Sequence, residues 1–246
     1  MNARIDMEKI MNEKRAWFYD LLFVLVLLVA AVLRLTGVNW GEGYHQHPDE
    51  LFLVGVLDNL RAHACDDASI PVDACPQDQQ HWIGLGDYFN TQTSTLNPYN
   101  RGQAFFVYGN LPMTITRIAM EMTGNDDIGK SKFFARQFSA LADLLTIFIL
   151  YLLVSNLYGR RVGVLAAAFS SFAVLQIQQS HFFTSDVFVN LFMFLTLWFA
   201  AKIVALKMGS DEVTIAETET DETNSETQPP IPDSQFPSVS QATSLR

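Results

Sequence analysis

The chain has 246 residues, of which 49% are hydrophobic and 17% are charged, and its formal net charge is -10 at pH 7. Its long uncharged apolar runs exclude a wholly soluble chain and predict a multi-pass membrane protein. Residues 208–246 carry eight acidic side chains and one basic side chain, so this segment accounts for -7 of the net charge. The acidic balance therefore indicates little about partners. We expect the lipid bilayer as surroundings and no nucleic-acid partner.

The first apolar segment covers residues 17–35, and residues 21–33 within it carry no charge. About 19 helical residues suffice to cross a hydrocarbon core of ~30 Å. Trp17 and Tyr19 before this segment, and Trp40 and Tyr44 after it, suit aromatic anchors at the two membrane surfaces. A cleaved signal peptide is the alternative, and the absence of a small-x-small cleavage site after Leu33 disfavours it.

Three further apolar segments, residues 133–157, 162–177 and 182–206, are predicted to be spanning helices, because every backbone amide in lipid needs an internal partner. Residues 105–122 are less apolar and include Pro112 and Arg117, so we expect them to lie on the membrane surface. Basic residues before the first helix and at Arg160-Arg161 then fall on the cytoplasmic side.

The predicted fold class is an all-α membrane protein with about four transmembrane helices and one or two interfacial helices in a long first outer loop. Residues 1–207 form the membrane domain, with the outer loop at 37–132. Residues 208–246 lack apolar periodicity and are predicted to be a disordered acidic tail. In a cell membrane, we expect the N-terminus and tail in the cytoplasm and the long loop outside it.

A polar cluster, residues 45–50, begins this outer loop. His45, His47, Asp49 and Glu50 are ionisable groups at a membrane surface, where such groups are functional candidates. Pro48 followed by two acidic residues predicts a helix start, which would hold Asp49 and Glu50 at the N-terminus of a short amphipathic helix.

Two cysteines, Cys65 and Cys75, follow in the same loop. Outside the cytoplasm an oxidising environment favours a disulfide between them. Two unpaired thiols are the alternative, and the spacing matches no common zinc pattern.

Several motifs together carry a family resemblance across residues 15–207. In chain order they are His47-Pro48-Asp49-Glu50, Tyr108-Gly109-Asn110-Leu111-Pro112, Leu157-Tyr158-Gly159-Arg160-Arg161-Val162-Gly163 and Gln179-Ser180-His181-Phe182-Phe183-Thr184-Ser185-Asp186. Their order and spacing resemble the N-terminal half of GT-C superfamily glycosyltransferases, especially bacterial relatives of the dolichyl-phosphate-mannose–protein mannosyltransferases. The resemblance implies transfer of a sugar from a polyprenyl-phosphate carrier to an acceptor at the outer face. It also implies that Asp49 is the catalytic base, with Glu50 supporting it.

Such a transfer needs a base for the acceptor and positive charge for the leaving phosphate. The predicted topology brings His181 and Asp186 to the face that carries Asp49. The substrate-binding candidates at or near this face are His47, His181, Asp186, Arg117 and Arg136.

Two other hypotheses remain open. No cofactor is certain, but a divalent metal held by His45, His47 and Asp49 is an alternative, since alternating residues of an extended segment share one side. The other hypothesis is a non-enzymatic membrane subunit or a transporter-like fragment. Against transport, the sequence suggests no charged residue buried in mid-membrane.

The chain differs from the superfamily in length, because superfamily enzymes have many more crossings than four. A fragment, one half of a split enzyme and a pseudo-enzyme are the alternatives, and we expect the chain to lack transferase activity alone. A second chain is one candidate source of the remaining helices.

Overall fold

The computed structural model describes residues 2–41, 44, 47–67, 69–125 and 127–226, with the backbone alone for 2–14, 16, 128 and 208–226. Two compact units divide the chain, Met1–Phe199 and Ala200–Arg246. The described residues contain eight α-helices, one antiparallel hairpin and three short 3-10 helices (Val72–Ala74, Gln77–Gln79 and Pro98–Arg101), and the α-helices and strands are numbered in chain order. They are α1 (Asn2–Leu35), α2 (Pro48–Asn59), β1 (His63–Cys65), β2 (Gln80–Trp82), α3 (Leu85–Phe89), α4 (Asn110–Met122), α5 (Ile128–Tyr158), α6 (Arg160–Phe172), α7 (Val174–Ser180) and α8 (Ser185–Glu226).

Three helical segments are long and apolar enough to span a membrane, namely Trp17–Leu35, Gly129–Tyr158 and Ser185–Lys207. They confirm an all-α membrane protein and three of the four predicted spans. The fourth predicted span, residues 162–177, is not one straight helix. It consists of α6 and α7, which bend by 64° at a short break and make one broken span or a re-entrant pair.

Helices α1, α5 and α6 pack through a core that includes Phe23, Tyr151 and Ala167. Phe23 and Tyr151 stack with their ring centroids 3.8 Å apart. A Cβ added to Gly163 would lie 2.0 Å from Ser155 Oγ and 3.1 Å from the Tyr151 carbonyl oxygen. Small residues thus allow close helix approach, which stabilises helix pairs in lipid through dispersion contacts.

The two ends of this bundle carry different side chains. At one end, Arg160 donates to Asp20 over 3.0 Å, and Arg161 lies over the Tyr19 ring at 5.5 Å. At the other end, Trp40 Nε1 donates to the His181 carbonyl over 3.3 Å. The start of the spanning part of α1 and the Arg160-Arg161 turn therefore share one end, as the predicted topology requires.

The break between α6 and α7 lies at Ala173, whose backbone is extended (φ -66°, ψ 107°). A helix end leaves carbonyls without intrahelical donors, and such carbonyls are costly in lipid unless another group binds them. Arg34 supplies the donors: its Nη1 donates to the Ser171 carbonyl over 3.0 Å and its Nη2 to the Ser170 carbonyl over 3.2 Å. The guanidinium therefore compensates for the break.

Asp143 of α5 balances the charge of Arg34. Its carboxylate pairs with Arg34 Nε and accepts a second hydrogen bond from Gln176 Nε2 over 2.8 Å. Arg34 is fully buried and Asp143 is 3% exposed. The expectation of no buried charge among the membrane helices was therefore wrong, because Asp143 interrupts an otherwise apolar run and has a partner 109 residues away in sequence.

The loop between the first two predicted spans folds into a lobe in which α2, α4 and α5 share an apolar core with the start of α8. Leu57, Leu96, Met120 and Phe183 are among its buried members. Helix α4 has 13 residues, a length of about 20 Å, which is too short to cross a core of ~30 Å. The prediction that residues 105–122 do not form a spanning helix agrees with this length.

A two-stranded hairpin and a disulfide hold the middle of the lobe together. Strand β1 pairs antiparallel with β2, with His63 opposite Trp82 and Cys65 opposite Gln80. Cys65 and Cys75 form a disulfide, as the sequence predicts.

Helix α8 continues to Glu226, so residues 208–226 are helical where the sequence predicts disorder. Extending an existing helix needs no new nucleus, which lowers the cost of adding these polar residues. Residues 227–246 lie outside the described part of the chain, and disorder there stays a prediction.

Candidate functional site

The N-terminus of α2 separates the two neighbouring acidic residues. The helix begins at Pro48, as predicted, and Asp49 and Glu50 occupy its first turn. Consecutive residues of a helix point about 100° apart, since 3.6 residues complete a turn. Asp49 is accordingly exposed, whereas Glu50 has no exposed surface.

Glu50 forms a buried ion pair with Arg136 of α5. Arg136 Nε and Nη2 donate to its two carboxylate oxygens, each over 2.6 Å, and both side chains are 0% exposed. The amide of Phe183 donates to Glu50 Oε1 over 3.1 Å. This carboxylate therefore ties α2 to α5 and to the segment before α8.

Arg136 makes further contacts with the segment that follows α1. Its Nη1 donates to the carbonyls of Val38 and Trp40 over 3.1 and 3.0 Å, and its guanidinium lies over the Trp40 ring at 5.0 Å. Full burial and these contacts favour a structural role for Glu50 and Arg136. A catalytic role for Glu50 and a substrate contact for Arg136 stay predictions.

Asp49 faces a residue that the predicted site did not include. Tyr108 Oη donates to Asp49 Oδ1 over 3.1 Å. The pKa of Tyr108 is raised by partial burial, by this hydrogen bond and by the negative charges of Asp49 and Asp186. Tyr108 also lines one small cavity with Ser185, the residue before Asp186, so the start of α8 lies beside the phenol that binds Asp49. The Tyr108-Gly109-Asn110-Leu111-Pro112 motif was the sequence signal for this residue.

Asp186 is exposed in the first turn of α8, where a carboxylate is favoured by the helix dipole. The segment before α8 contacts the start of α2, since the Phe183 amide donates to Glu50 and the Phe182 ring lies 4.9 Å from the His47 ring. These contacts support the predicted convergence of the two segments.

His47 lies beside the same site. It precedes Pro48 and has the extended backbone that a following proline favours (φ -111°, ψ 122°). Its ring lies 4.9 Å from the Phe182 ring, and its buried Nδ1 has no hydrogen-bond partner among the described residues. His47 therefore retains a polar atom available for a ligand.

His181, by contrast, is held by backbone carbonyls. Its Nδ1 lies 2.7 Å from the Ile177 oxygen and its Nε2 lies 2.9 Å from the Thr36 oxygen. These contacts join α7 to the residue that follows α1. Next to them lies an open cavity of about 310 Å³, lined by Gly37, Trp40, Gln178, His181 and Phe182. These two contacts favour a structural role for His181, and substrate binding by its ring stays a prediction.

Arg117 lies in the lobe near the C-terminus of α2. It is 2% exposed, forms an ion pair with Glu121 and donates from Nη1 to the Leu57 carbonyl over 3.3 Å. These contacts favour a structural role, and substrate binding by Arg117 stays a prediction.

Three arginines bind consecutive carbonyls at that C-terminus. Besides Arg117, Arg61 donates to the Asp58 and Leu60 carbonyls over 2.7 and 2.8 Å, and Arg101 donates to the Asn59 carbonyl over 2.6 Å. Cations at a helix C-terminus satisfy free carbonyls and match the helix dipole. Both ends of α2 are therefore fixed, which fixes the position of Asp49.

A metal site finds no support among the residues that the structure describes, where no group of three His, Cys, Asp or Glu side chains could hold an ion. His45 lies outside the described residues. The alternative of a metal at His45, His47 and Asp49 therefore stays an untested prediction.

Comparison with known proteins gives one match. Residues 115–211 match the family model described as Dolichyl-phosphate-mannose-protein mannosyltransferase. No curated protein and no solved structure matches the chain. The matched residues include most of α4, all of α5 to α7 and the spanning part of α8. Over residues 115–211, the chain is therefore similar to this mannosyltransferase family, and the similarity agrees with the apolar helices of a membrane protein.

Proposed function

We propose that the chain is a membrane glycosyltransferase, or a part of one, that transfers a sugar from a polyprenyl-phosphate carrier to an acceptor at the outer face. The observation that carries this proposal is Asp49: an exposed carboxylate, fixed at the start of α2, beside Tyr108 and near Asp186. The mannosyltransferase family match supports the reaction type.

In this reaction an acceptor hydroxyl or amine attacks the anomeric carbon of the sugar. Asp49 takes the proton of the attacking group as the new bond forms. The bond between the anomeric carbon and the phosphate oxygen breaks, and polyprenyl phosphate leaves with the electron pair. Tyr108 holds the carboxylate, and Asp186 and His47 border the space for the substrates.

The leaving phosphate needs positive charge in the transition state. Arg136 is fully buried and makes four hydrogen bonds, and the nearly buried Arg117 binds Glu121 and the Leu57 carbonyl, so we assign neither to this task. This leaves room for the proposal that a second chain contributes the carrier-binding part of the site.

The experiment measures transfer of radiolabelled mannose from polyprenyl-phosphate mannose in native membranes. Asp49→Asn is expected to lower the rate by about 10²- to 10⁴-fold, the usual contribution of a general base. Asp78→Asn is the matched control, because Asp78 is an exposed carboxylate elsewhere in the lobe. Unchanged transfer by Asp49→Asn would remove Asp49 from the mechanism.

The proposal that the chain needs a second chain has its own test. Purified alone and folded, the chain is expected to give no transfer from the same donor. Clear turnover by the purified chain would refute incompleteness and leave the proposed role of Asp49 intact.

A transporter remains the second candidate because Arg34 and Asp143 are charged and buried among membrane helices. Such groups often mark a substrate or ion pathway. Here each charge has a partner, and Arg34 also donates to two carbonyls at the helix break. This saturation favours a structural role over transport.

A further inference from the structure

A cleft in the outer lobe lies apart from the site around Asp49. It has a volume of about 490 Å³ and is bordered by the β1–β2 hairpin, the Cys65 half of the disulfide and the segment that follows α3. Binding pockets for small molecules usually have volumes of about 300–1,000 Å³. The cleft is therefore large enough for a ligand.

Side-chain amides line one wall of this cleft, and internal hydrogen bonds hold two of them. Asn90 Oδ1 accepts from the backbone N–H of Gln92 over 3.2 Å. Asn100 Nδ2 donates to the carbonyls of Thr91 and Ser94 over 3.1 and 3.0 Å. Each of these two side-chain amides is thus held through one of its polar atoms. The other atom is a hydrogen-bond donor in Asn90 (Nδ2) and an acceptor in Asn100 (Oδ1).

Ser94 gives an independent sign of a ligand. It lines the cleft, is only 3% exposed, and its Oγ has no hydrogen-bond partner in the described chain. Burying a hydroxyl without a partner costs about 1–3 kcal/mol, so native structures rarely leave one unsatisfied. A ligand hydroxyl in the cleft would supply the missing partner.

The charged groups around the cleft are already paired with one another. His81 contacts Asp66 over 2.7 Å and Asp87 over 3.5 Å, and Arg101 binds Asp73 over 2.6 Å. A charged ligand would compete with these pairs, whereas an uncharged ligand would leave them intact. The pairing therefore favours a neutral ligand.

The cleft also has an apolar side. Ile70, Pro71, Val72 and Ile83 line it together with the amides and hydroxyls. Sugar rings combine C–H faces with hydroxyl edges, and this lining offers contacts to both. We infer that the cleft binds a neutral oligosaccharide.

The position of the cleft separates it from the chemistry. Arg101, which lines the cleft, donates to the Asn59 carbonyl at the C-terminus of α2, whereas Asp49 lies at the N-terminus of that helix. Ten helical residues span about 15 Å, more than the length of one sugar ring. The cleft would therefore hold a distant part of a glycan acceptor. Only this last step rests on the proposed function, because binding itself needs no transfer.

The experiment titrates neutral disaccharides, mannobiose and maltose, into the full chain in detergent micelles, with saturation-transfer NMR as the readout. Ser94→Ala and Gln92→Ala are each expected to weaken binding about 2- to 10-fold, the effect of one lost hydrogen bond. Gln77→Ala is the matched control, because Gln77 is an exposed amide of the same lobe outside the cleft. Thermal unfolding of each variant checks that the lobe is folded.

The same titration with Asp49→Asn distinguishes this site from the proposed catalytic site. Unchanged binding with lost transfer supports both proposals, and unchanged binding with retained transfer contradicts the catalytic proposal alone. Three outcomes overturn the inference about the cleft: neither disaccharide saturates, a neutral serine-glycine peptide binds where they do not, or Ser94→Ala and Gln92→Ala bind like Gln77→Ala.

Discussion

Asp49 and Glu50 are adjacent residues of the same chemical type in opposite surroundings. Asp49 is exposed and accepts one hydrogen bond from Tyr108, whereas Glu50 is fully buried and accepts three from Arg136 and Phe183. An exposed carboxylate is more accessible to a substrate than one that is buried and bound by three protein donors, which favours Asp49 over Glu50 as the base. The difference teaches that the acidic pair consists of one candidate base and one structural anchor.

The largest expected effect on folding comes from Glu50→Gln. Removing one member of a fully buried ion pair costs about 3–5 kcal/mol, because the other charge stays buried without compensation. We expect the free energy of unfolding, measured by thermal or SDS titration in micelles, to fall by this amount.

A double variant sharpens this result. Glu50→Leu combined with Arg136→Met removes both charges, and is expected to be less destabilised than either single variant. Additive losses in the double-mutant cycle would contradict the anchoring role of the pair.

The buried ion pair of Arg34 and Asp143 should contribute to stability, as Glu50 does and Asp49 does not. Asp143→Asn leaves Arg34 without its counter-charge but with its bonds to Ser170 and Ser171. We therefore expect the free energy of unfolding to fall by about 3 kcal/mol, the lower end of the range for a broken buried ion pair. An unchanged stability would show that Arg34 needs no counter-charge at the break.

The smallest effect is expected at Tyr108. Tyr108→Phe removes one hydrogen bond to Asp49, and transfer should fall about 2- to 10-fold with little change in stability. Because the pKa of Tyr108 lies above its normal value, the phenol stays protonated at neutral pH. The factor should therefore be the same between about pH 6 and 9. A factor that disappears within this range would contradict a role for the protonated phenol.

Local signals in the sequence predict much of this arrangement. The start of α2 at Pro48, three spans and the Cys65–Cys75 pair follow from proline chemistry, hydropathy and compartment. The family resemblance identifies Asp49 as the candidate base, and the predicted topology places Asp186 on the same face. These features depend on near neighbours or on the membrane, which the sequence displays directly.

Two buried ion pairs and a helix break, which the sequence does not predict, depend on partners far away in sequence. Glu50 and Arg136 are 86 residues apart, and Arg34 and Asp143 are 109 apart, so nothing local identifies either pair. The helix break at Ala173 contains neither proline nor glycine, and Arg34 compensates for it from another helix. Long-range pairing therefore decides which ionisable residues remain free for chemistry.

The most direct measurement compares Asp49→Asn and Glu50→Gln in parallel assays of transfer and unfolding. We expect Asp49→Asn to lose transfer by about 10²- to 10⁴-fold with an unchanged free energy of unfolding. Glu50→Gln should show the opposite result: the free energy of unfolding falls strongly, and the fraction of protein that stays folded retains transfer. Retained transfer in Asp49→Asn, or abolished transfer in fully folded Glu50→Gln, would contradict the division between base and anchor.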